Sequence, residues 1–365
     1  MTVPQPAAGP LRLALIGAGG IADRHLDAAD AHPDVVRFVS VVDASEKAIS
    51  KVRARLPQIR VHDSADKLAA AGGFDAAVIC TPHFLHFEQA AAVVRAGCSV
   101  LVEKPLVTST EQMRRLHEIA TASGATVIAG QTRRHSPDVV RARSAMSSAV
   151  DFGGLRSFDI QSLQDARPFT GPSHWLLDGR LAGGGVAISL AIHQIDMIRF
   201  LTGADYTAAL ASARFDAPFR NGAESQVSAV LELSNGARGT LHADYLATRI
   251  PFAEAMTLIG EHGSLVQHAA WVGQYRGPLS YSTSEGVPSV EFKQQLGGWR
   301  QLSDDLEHAE EAQEAFTRQM LHFAAVVRGE QEPVSSLADN FNTIACVEAI
   351  AASAARRQRV EVEQW

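Results

Sequence analysis

Short apolar runs and longer mixed stretches take turns along the first third of the chain. The apolar runs fall at 11–17, 35–42, 75–81, 98–102 and 125–130, each of a length suited to a buried strand. Helical stretches lie between them, among them 45–56, 84–97 and 109–123. This repetition predicts a doubly wound parallel sheet with helices on both faces. Such sheets bind ligands in the crevice at the C-terminal ends of their strands. The residues that follow each strand are therefore where chemistry is expected.

The pattern changes near residue 134. From Gly153 onwards, longer strands lie close together. Glu224 to Leu233 (ESQVSAVLEL) alternates, Asn235-Gly236 is a strong hairpin signal, and Ala237 to Leu246 returns in the same manner. Further strand-like stretches are 254–260, 264–272 and 289–293, and helical segments near 184–201, 306–328 and 337–356 complete the region. The expected architecture is α/β throughout: a flexible leader (1–10), a doubly wound domain (11–134), and an α/β domain with a mostly antiparallel open sheet (135–365). Its helices cover one sheet face. The other face is expected to be buried in an oligomer.

The turn after the first run carries the sharpest chemistry. Leu11 to Ala22 reads LRLALIGAGGIA, which places Gly17, Gly19 and Ala22 at the three positions of a dinucleotide-binding turn. Gly17 permits the tight turn, Gly19 lets the backbone approach a pyrophosphate, and Ala22 lets the new helix pack on the strand. The amides of Gly17 to Ile21, Gly20 among them, are expected at the phosphates, where a helix begins. The second run ends in Asp43, placed to accept hydrogen bonds from the adenosine ribose and to repel a 2′-phosphate. NAD is favoured over NADP. Capping of the next helix by Asp43 is a compatible second role.

Three further groups stand at promising places. Glu103-Lys104-Pro105 follows the fourth run, so Lys104 faces the crevice. A lysine beside a cationic nicotinamide has its ammonium form disfavoured and can accept a proton from a hydroxyl. The plainer alternative is a surface lysine in a turn with Glu103 as its exposed partner. Thr81-Pro82-His83-Phe-Leu-His86 follows the third run and is expected to touch the cofactor, with helix capping as the alternative. No carboxylate or cysteine completes a metal set with its histidines. Gly183-Gly184-Gly185 opens an apolar helix carrying Ser189, His193 and Asp196 on one face, where His193 can bind or relay a proton from a substrate hydroxyl. It can equally be a core histidine bonded to Asp196 or to a backbone carbonyl.

Composition narrows the class. The chain has 365 residues, 46% hydrophobic and 20% charged, with a formal net charge of −7. That balance argues against nucleic acid or an anionic membrane as partner. The leader lacks the basic start and apolar core of a signal peptide, and no run reads as long and apolar enough to span a bilayer. Cys80, Cys98 and Cys346 show no disulfide or metal spacing, which fits a reducing cytoplasm.

Together, Gly17-x-Gly19-x-x-Ala22, Glu103-Lys104-Pro105 and the glycine-rich stretch ending in His193-x-x-Asp196 closely resemble the Gfo/Idh/MocA oxidoreductases, from Leu11 to the C-terminus. The resemblance implies a Rossmann domain and a C-terminal α/β domain whose open sheet often forms a homodimer or homotetramer interface. It also implies NAD(P)-dependent oxidation of a hydroxyl, usually on a sugar or cyclitol. By it, Lys104 is the catalytic lysine, His193 a catalytic or substrate-binding residue, and His83 and His86 line the nicotinamide side. Ser189 stands where many members carry an aspartate, so it would orient the imidazole without charging it, leaving more of the proton transfer to Lys104. Trp175, Asp178 and Arg180 suit a polyol; Arg167 or Arg180 suit a substrate carboxylate. A cis-dihydrodiol carboxylate dehydrogenase, an NAD-dependent glycoside hydrolase and an inactive nucleotide-binding regulator are the alternatives.

Overall fold

The computed structural model describes residues 9–147, 152–248, 250, 252–267, 279–283, 300–301 and 308–365. The expected strand at 289–293, the end of the 264–272 stretch and most of the leader lie outside them. The chain forms two compact units, Met1–Thr132 with Gln313–Phe341, and Arg133–Ala312 with Asn342–Trp365.

The first unit is built on six parallel strands: β1 (Leu11–Ile16), β2 (Val36–Val42), β3 (Arg60–His62), β4 (Ala76–Ile79), β5 (Ser99–Glu103) and β6 (Val127–Gly130). Their order is β3-β2-β1-β4-β5-β6, so the strand order reverses between β1 and β4. Every residue of β4 is buried, as are all of β1 but Arg12, which is why these strands read as continuous apolar runs. The connecting helices are α1 (Ala22–Ala31), α2 (Glu46–Arg55), α3 (Ala65–Ala71), α4 (His83–Arg95) and α5 (Thr110–Ser123). Ser45, Ser64 and Ser109 start α2, α3 and α5, each side chain accepting a backbone amide of the first turn.

The chain passes from the first unit to the second at Thr132/Arg133, beside the expected break near 134, but 313–341 belong to the first unit and not to the second as expected. A helix far along the chain, α9 (His308–Val327), returns to the first unit and buries Met320, Phe323 and Ala324 in one core with Leu13, Leu15, Val41 and Val78. Their i, i+3, i+4 spacing predicts an amphipathic helix. It does not say which sheet the apolar stripe will cover.

The second unit holds nine strands: β7 (Leu155–Leu163), β8 (Tyr206–Arg214), β9 (Gln226–Leu233), β10 (Arg238–Asp244), β11 (Ala253–Gly260), β12 (Gly263–Gln267), β13 (Leu279–Thr283), β14 (Arg300–Gln301) and β15 (Val360–Glu361). Their order is β14-β13-β12-β11-β7-β10-β9-β8-β15. Only the β7–β10 pair is parallel among these neighbours. The expected hairpin is present, with Gly236 at φ 86 in the turn between β9 and β10. Along β9, Val227, Ala229, Leu231 and Leu233 are buried while Ser228 and Val230 are exposed. The helices α6 (Pro137–Met146), α7 (Gly179–Ala182), α8 (Ile192–Thr202) and much of α10 (Leu337–Arg356) complete the unit.

The helix expected over 184–201 is interrupted. A π turn, Ala187–Ala191, precedes α8, so Ser189 and His193 do not share a face by simple α-helical spacing. The stretch Gly179–Thr202 is also long and apolar enough by composition to cross a membrane, contrary to the expectation that no run would be. It is mostly buried inside the unit, with α8 packed against β7 and α6, so it reads as core.

Candidate active site

The cofactor cradle lies at the C-terminal ends of β1, β2 and β4. Gly17 sits at φ 90, and a Cβ on it would lie 2.7 Å from Thr81 Cγ2 and 2.8 Å from both Cys80 C and Thr81 N. Only glycine allows β1 to turn this close to the end of β4. Gly19 and Gly20 are different: a Cβ at either position meets nothing within 4 Å. The fold does not need those two glycines, and the space above them suits an approaching ligand. The helix α1 then starts after Ile21 with no side-chain cap, which leaves amides for an anion. Open glycines before an uncapped helix fit a pyrophosphate.

Asp43 follows β2 and holds the turn as well as facing the cleft. Its Oδ2 accepts Ala18 N at 2.6 Å and its Oδ1 accepts Ser45 N at 2.7 Å. The cap of α2 is Ser45, so the helix-capping role expected for Asp43 passes to its neighbour. Asp43 lines a cleft of about 600 Å³ with Ser45, Thr81, Pro82, Leu85 and Gln89. A carboxylate here accepts ribose hydroxyls and repels a 2′-phosphate.

His86 is not a cofactor contact. Its ring is fully buried, with Nδ1 2.8 Å from Pro105 O and Nε2 2.7 Å from Thr81 O. It ties the loop after β5 to the loop after β4 and has no nitrogen left for a ligand. Burial holds the His86 imidazole below its ordinary pKa, although both carbonyls favour the charged form. His83 is also buried, tilted against His86 with ring centroids 5.8 Å apart. Thr81 Oγ1 donates to Gln89 Oε1 at 2.5 Å, and Pro82 begins α4 without a side-chain cap.

Lys104 stands directly after β5, and the Lys104–Pro105 peptide is cis. Glu103 is buried and is not the exposed partner considered from sequence. Its Oε1 lies 2.8 Å from His25 Nε2 of α1, and its Oε2 accepts Lys104 N at 3.3 Å. His25 belongs to no motif in the sequence; three residues after Ala22, it falls on the buried face of α1.

In the second unit the glycine-rich stretch has a structural cause. A Cβ on Gly185 would lie 2.0 Å from Glu224 O and 2.4 Å from Glu224 N. The buried Glu224 carboxylate accepts Gly185 N at 2.8 Å and Ala187 N at 2.9 Å. These contacts, rather than close approach of a ligand, explain Gly185. Burial raises the Glu224 carboxyl pKa, with the amides opposing it. Nothing in the local sequence marks Glu224 as this cap.

Ser189 is buried and donates its hydroxyl proton to Gly185 O, so it has none to give the imidazole of His193. Asp196 does not orient His193 either. Its oxygens take two bonds from Arg134, Nε to Oδ2 at 2.8 Å and Nη2 to Oδ1 at 2.6 Å, with Thr343 Oγ1 at 3.3 Å. His193 itself is half-buried at the start of α8. Trp175 is half-buried and stacks on His174, centroids 5.5 Å apart. Asp178 is occupied rather than offered to a polyol: Oδ1 accepts Arg180 N, and Oδ2 accepts Asn221 Nδ2 at 2.7 Å and Arg220 Nε at 3.2 Å. Arg167 is likewise paired with Asp165 through two 2.7 Å bonds, while Arg180 is exposed.

Residues 11–131 match the oxidoreductase family model described as an NAD-binding Rossmann fold, and 140–266 match the GFO/IDH/MocA C-terminal domain. Inositol 2-dehydrogenase of Rhizobium meliloti (strain 1021) is 27% identical over 242 residues, 65% of this chain and 70% of that protein. The 1,5-anhydro-D-fructose reductase of Ensifer adhaerens is 26% identical over 310 residues, 82% of this chain and 83% of that one. A levoglucosan dehydrogenase solved with NADH has the same fold, with a TM-score of 0.84 at 21% identity over 98% of this chain and 100% of that one. With both halves matched and an NAD cradle formed at the switch between β1 and β4, the chain belongs to the Gfo/Idh/MocA family of NAD-binding oxidoreductases.

Proposed function

We propose that this protein is an NAD-dependent dehydrogenase acting on a secondary hydroxyl of a sugar, cyclitol or related polyol. The observation that carries this is the cradle at Gly17–Ile21 and Asp43, with Lys104 at the same C-terminal edge of the sheet. NAD, when bound, supplies the hydride acceptor. Gly19, Gly20 and the first amides of α1 would hold its pyrophosphate, and Asp43 its ribose. Lys104 takes the proton of the substrate hydroxyl, while Glu103, held by His25, stays clear of solvent. His193 carries a substrate-binding role by the family resemblance. Ser189 is neutral and brings no negative charge to that imidazole, which supports assigning the proton transfer to Lys104. The polyol and sugar substrates named for the relatives favour that substrate class.

The test is initial rates of NAD and NADP reduction across cyclitols, aldoses, glycosides and aryl cis-diols, with Lys104→Ala beside the native protein. Turnover preferring NAD, reduced about 10²–10⁴-fold by Lys104→Ala with NAD affinity retained, is the expected result. Near-normal turnover in Lys104→Ala overturns the assignment of the base.

A homodimer or homotetramer is part of the same reading. The outward face of β8, β9 and β10 presents Leu210 and Val230 exposed among Ser228, Thr240 and His242. Light scattering after size exclusion tests it. The three free cysteines suit a reducing cytoplasm.

A further inference from the structure

His25 lies outside the cradle residues Gly17–Ile21 and Asp43, on the buried side of α1. It is 1% exposed, one turn into α1, on the buried stripe with Ala22, Leu26 and Ala29. Its Nε2 meets Glu103 Oε1 at 2.8 Å. A carboxylate can only accept, so that nitrogen carries the proton. The other nitrogen, Nδ1, is buried with no hydrogen-bond partner. The ring sits edge-on to Phe316 of α9, centroids 5.2 Å apart and planes at 89°. Across the carboxylate, Gly130 at the end of β6 leaves room: a Cβ there would lie 3.0 Å from Glu103 Cα and 3.4 Å from its Cδ. The second carboxylate oxygen accepts the amide of Lys104 at 3.3 Å. A line of hydrogen bonds thus runs from the helix that begins at the phosphate turn to the backbone of the lysine.

His25 supplies the buried Glu103 carboxylate with a donor while its own Nδ1 stays buried without a partner. What imidazole does and leucine cannot is hold the carboxylate in one orientation. We propose that His25 is a positioning residue for Lys104, acting through Glu103. The inference rests on the reading of Lys104 as the base. Without His25, the Glu103 carboxylate loses its donor, turns to the adjacent ammonium and makes Lys104 hold its proton more tightly. Cys80 at the end of β4 also feels Glu103, and His86 from α4 feels both Glu103 and Lys104.

The test is the pH dependence of Lys104 acetylation by acetic anhydride, read by peptide mass spectrometry on the full chain, which needs no substrate. In His25→Leu the midpoint is expected to rise by about half a pH unit or more, because a freed carboxylate favours the ammonium. His25→Gln, whose side-chain amide donates from near the same place, is expected to restore the native midpoint. An unmoved midpoint in a cooperatively melting His25→Leu overturns the proposal. So does a glutamine variant that behaves as the leucine one does. If His25→Leu does not melt cooperatively, Glu103→Gln decides: a lowered midpoint upholds the coupling and an unchanged one overturns it. NAD binding and turnover by the native protein are measured separately. Failure of the dehydrogenase reading therefore appears there, as native protein that binds no NAD or reduces none, and not in the labelling.

Discussion

Substituting Gly17 and Gly19 separately by alanine tests whether the two glycines of one turn serve different masters, the fold and the ligand. At Gly17 the new methyl would stand 2.7–2.8 Å from Thr81 Cγ2, Thr81 N and Cys80 C, at φ 90. The left-handed backbone costs an L-residue roughly 1–2 kcal/mol. Forcing a methyl against the backbone of β4 costs about 1–3 kcal/mol more. Gly17→Ala should therefore lose roughly 2–5 kcal/mol of stability without any ligand present. At Gly19 the methyl meets nothing within 4 Å and the backbone is not left-handed. Gly19→Ala should stay within about 0.5 kcal/mol of the native stability. Its cost appears only with cofactor, where the methyl occupies the approach to the pyrophosphate. Urea denaturation with and without NAD separates the two. At a concentration 100 times its Kd, NAD stabilises the native protein by about 2.7 kcal/mol, and Gly19→Ala should lose most of that increment at the same concentration. Native-like stability in Gly17→Ala, or a full NAD increment in Gly19→Ala, refutes the reasoning.

Two further outcomes follow from buried groups. The Arg134 and Asp196 side chains are 2% and 3% exposed, so Arg134→Met should cost about 3–5 kcal/mol by leaving a buried carboxylate unpaired. Adding Asp196→Leu should recover most of that loss, and a double-mutant cycle in urea showing no coupling would sink this account. The buried His86 has its pKa lowered in the folded state, so the unfolded chain binds the extra proton first. Its contribution is present above the ordinary histidine value of about 6.5 and is lost as pH falls from there through the folded value. Stability measured between pH 7 and pH 5 should fall less steeply in His86→Gln; an unchanged slope would show that His86 does not contribute.

Much of this molecule is determined by residues near each other in the chain. The runs leading to Gly17, Asp43, Thr81 and Lys104 each predict a buried strand, and a parallel sheet presents their ends along one edge. Asn235-Gly236 specifies its hairpin, because the turn needs positive φ and the flanking strands alternate. The open space at Gly19 and Gly20 and the uncapped start of α1 likewise agree with the local reading. What the sequence left open depends on partners far away in the chain. A carboxylate or imidazole has the same local signature whether it faces a ligand or a buried neighbour. Asp196 belongs to Arg134, Asp178 to Asn221 and Arg220, and His86 to the carbonyls of Thr81 and Pro105. Gly185 likewise acquires its meaning from Glu224, 39 residues further on, whose backbone comes too close for any side chain there. An amphipathic stripe specifies that α9 must cover a sheet, and only the assembled core decides that it is the first one. Local patterning determines element type and where chemistry can be displayed. Tertiary packing decides which of the displayed groups are already satisfied, because a buried polar atom takes the nearest partner that the fold brings to it.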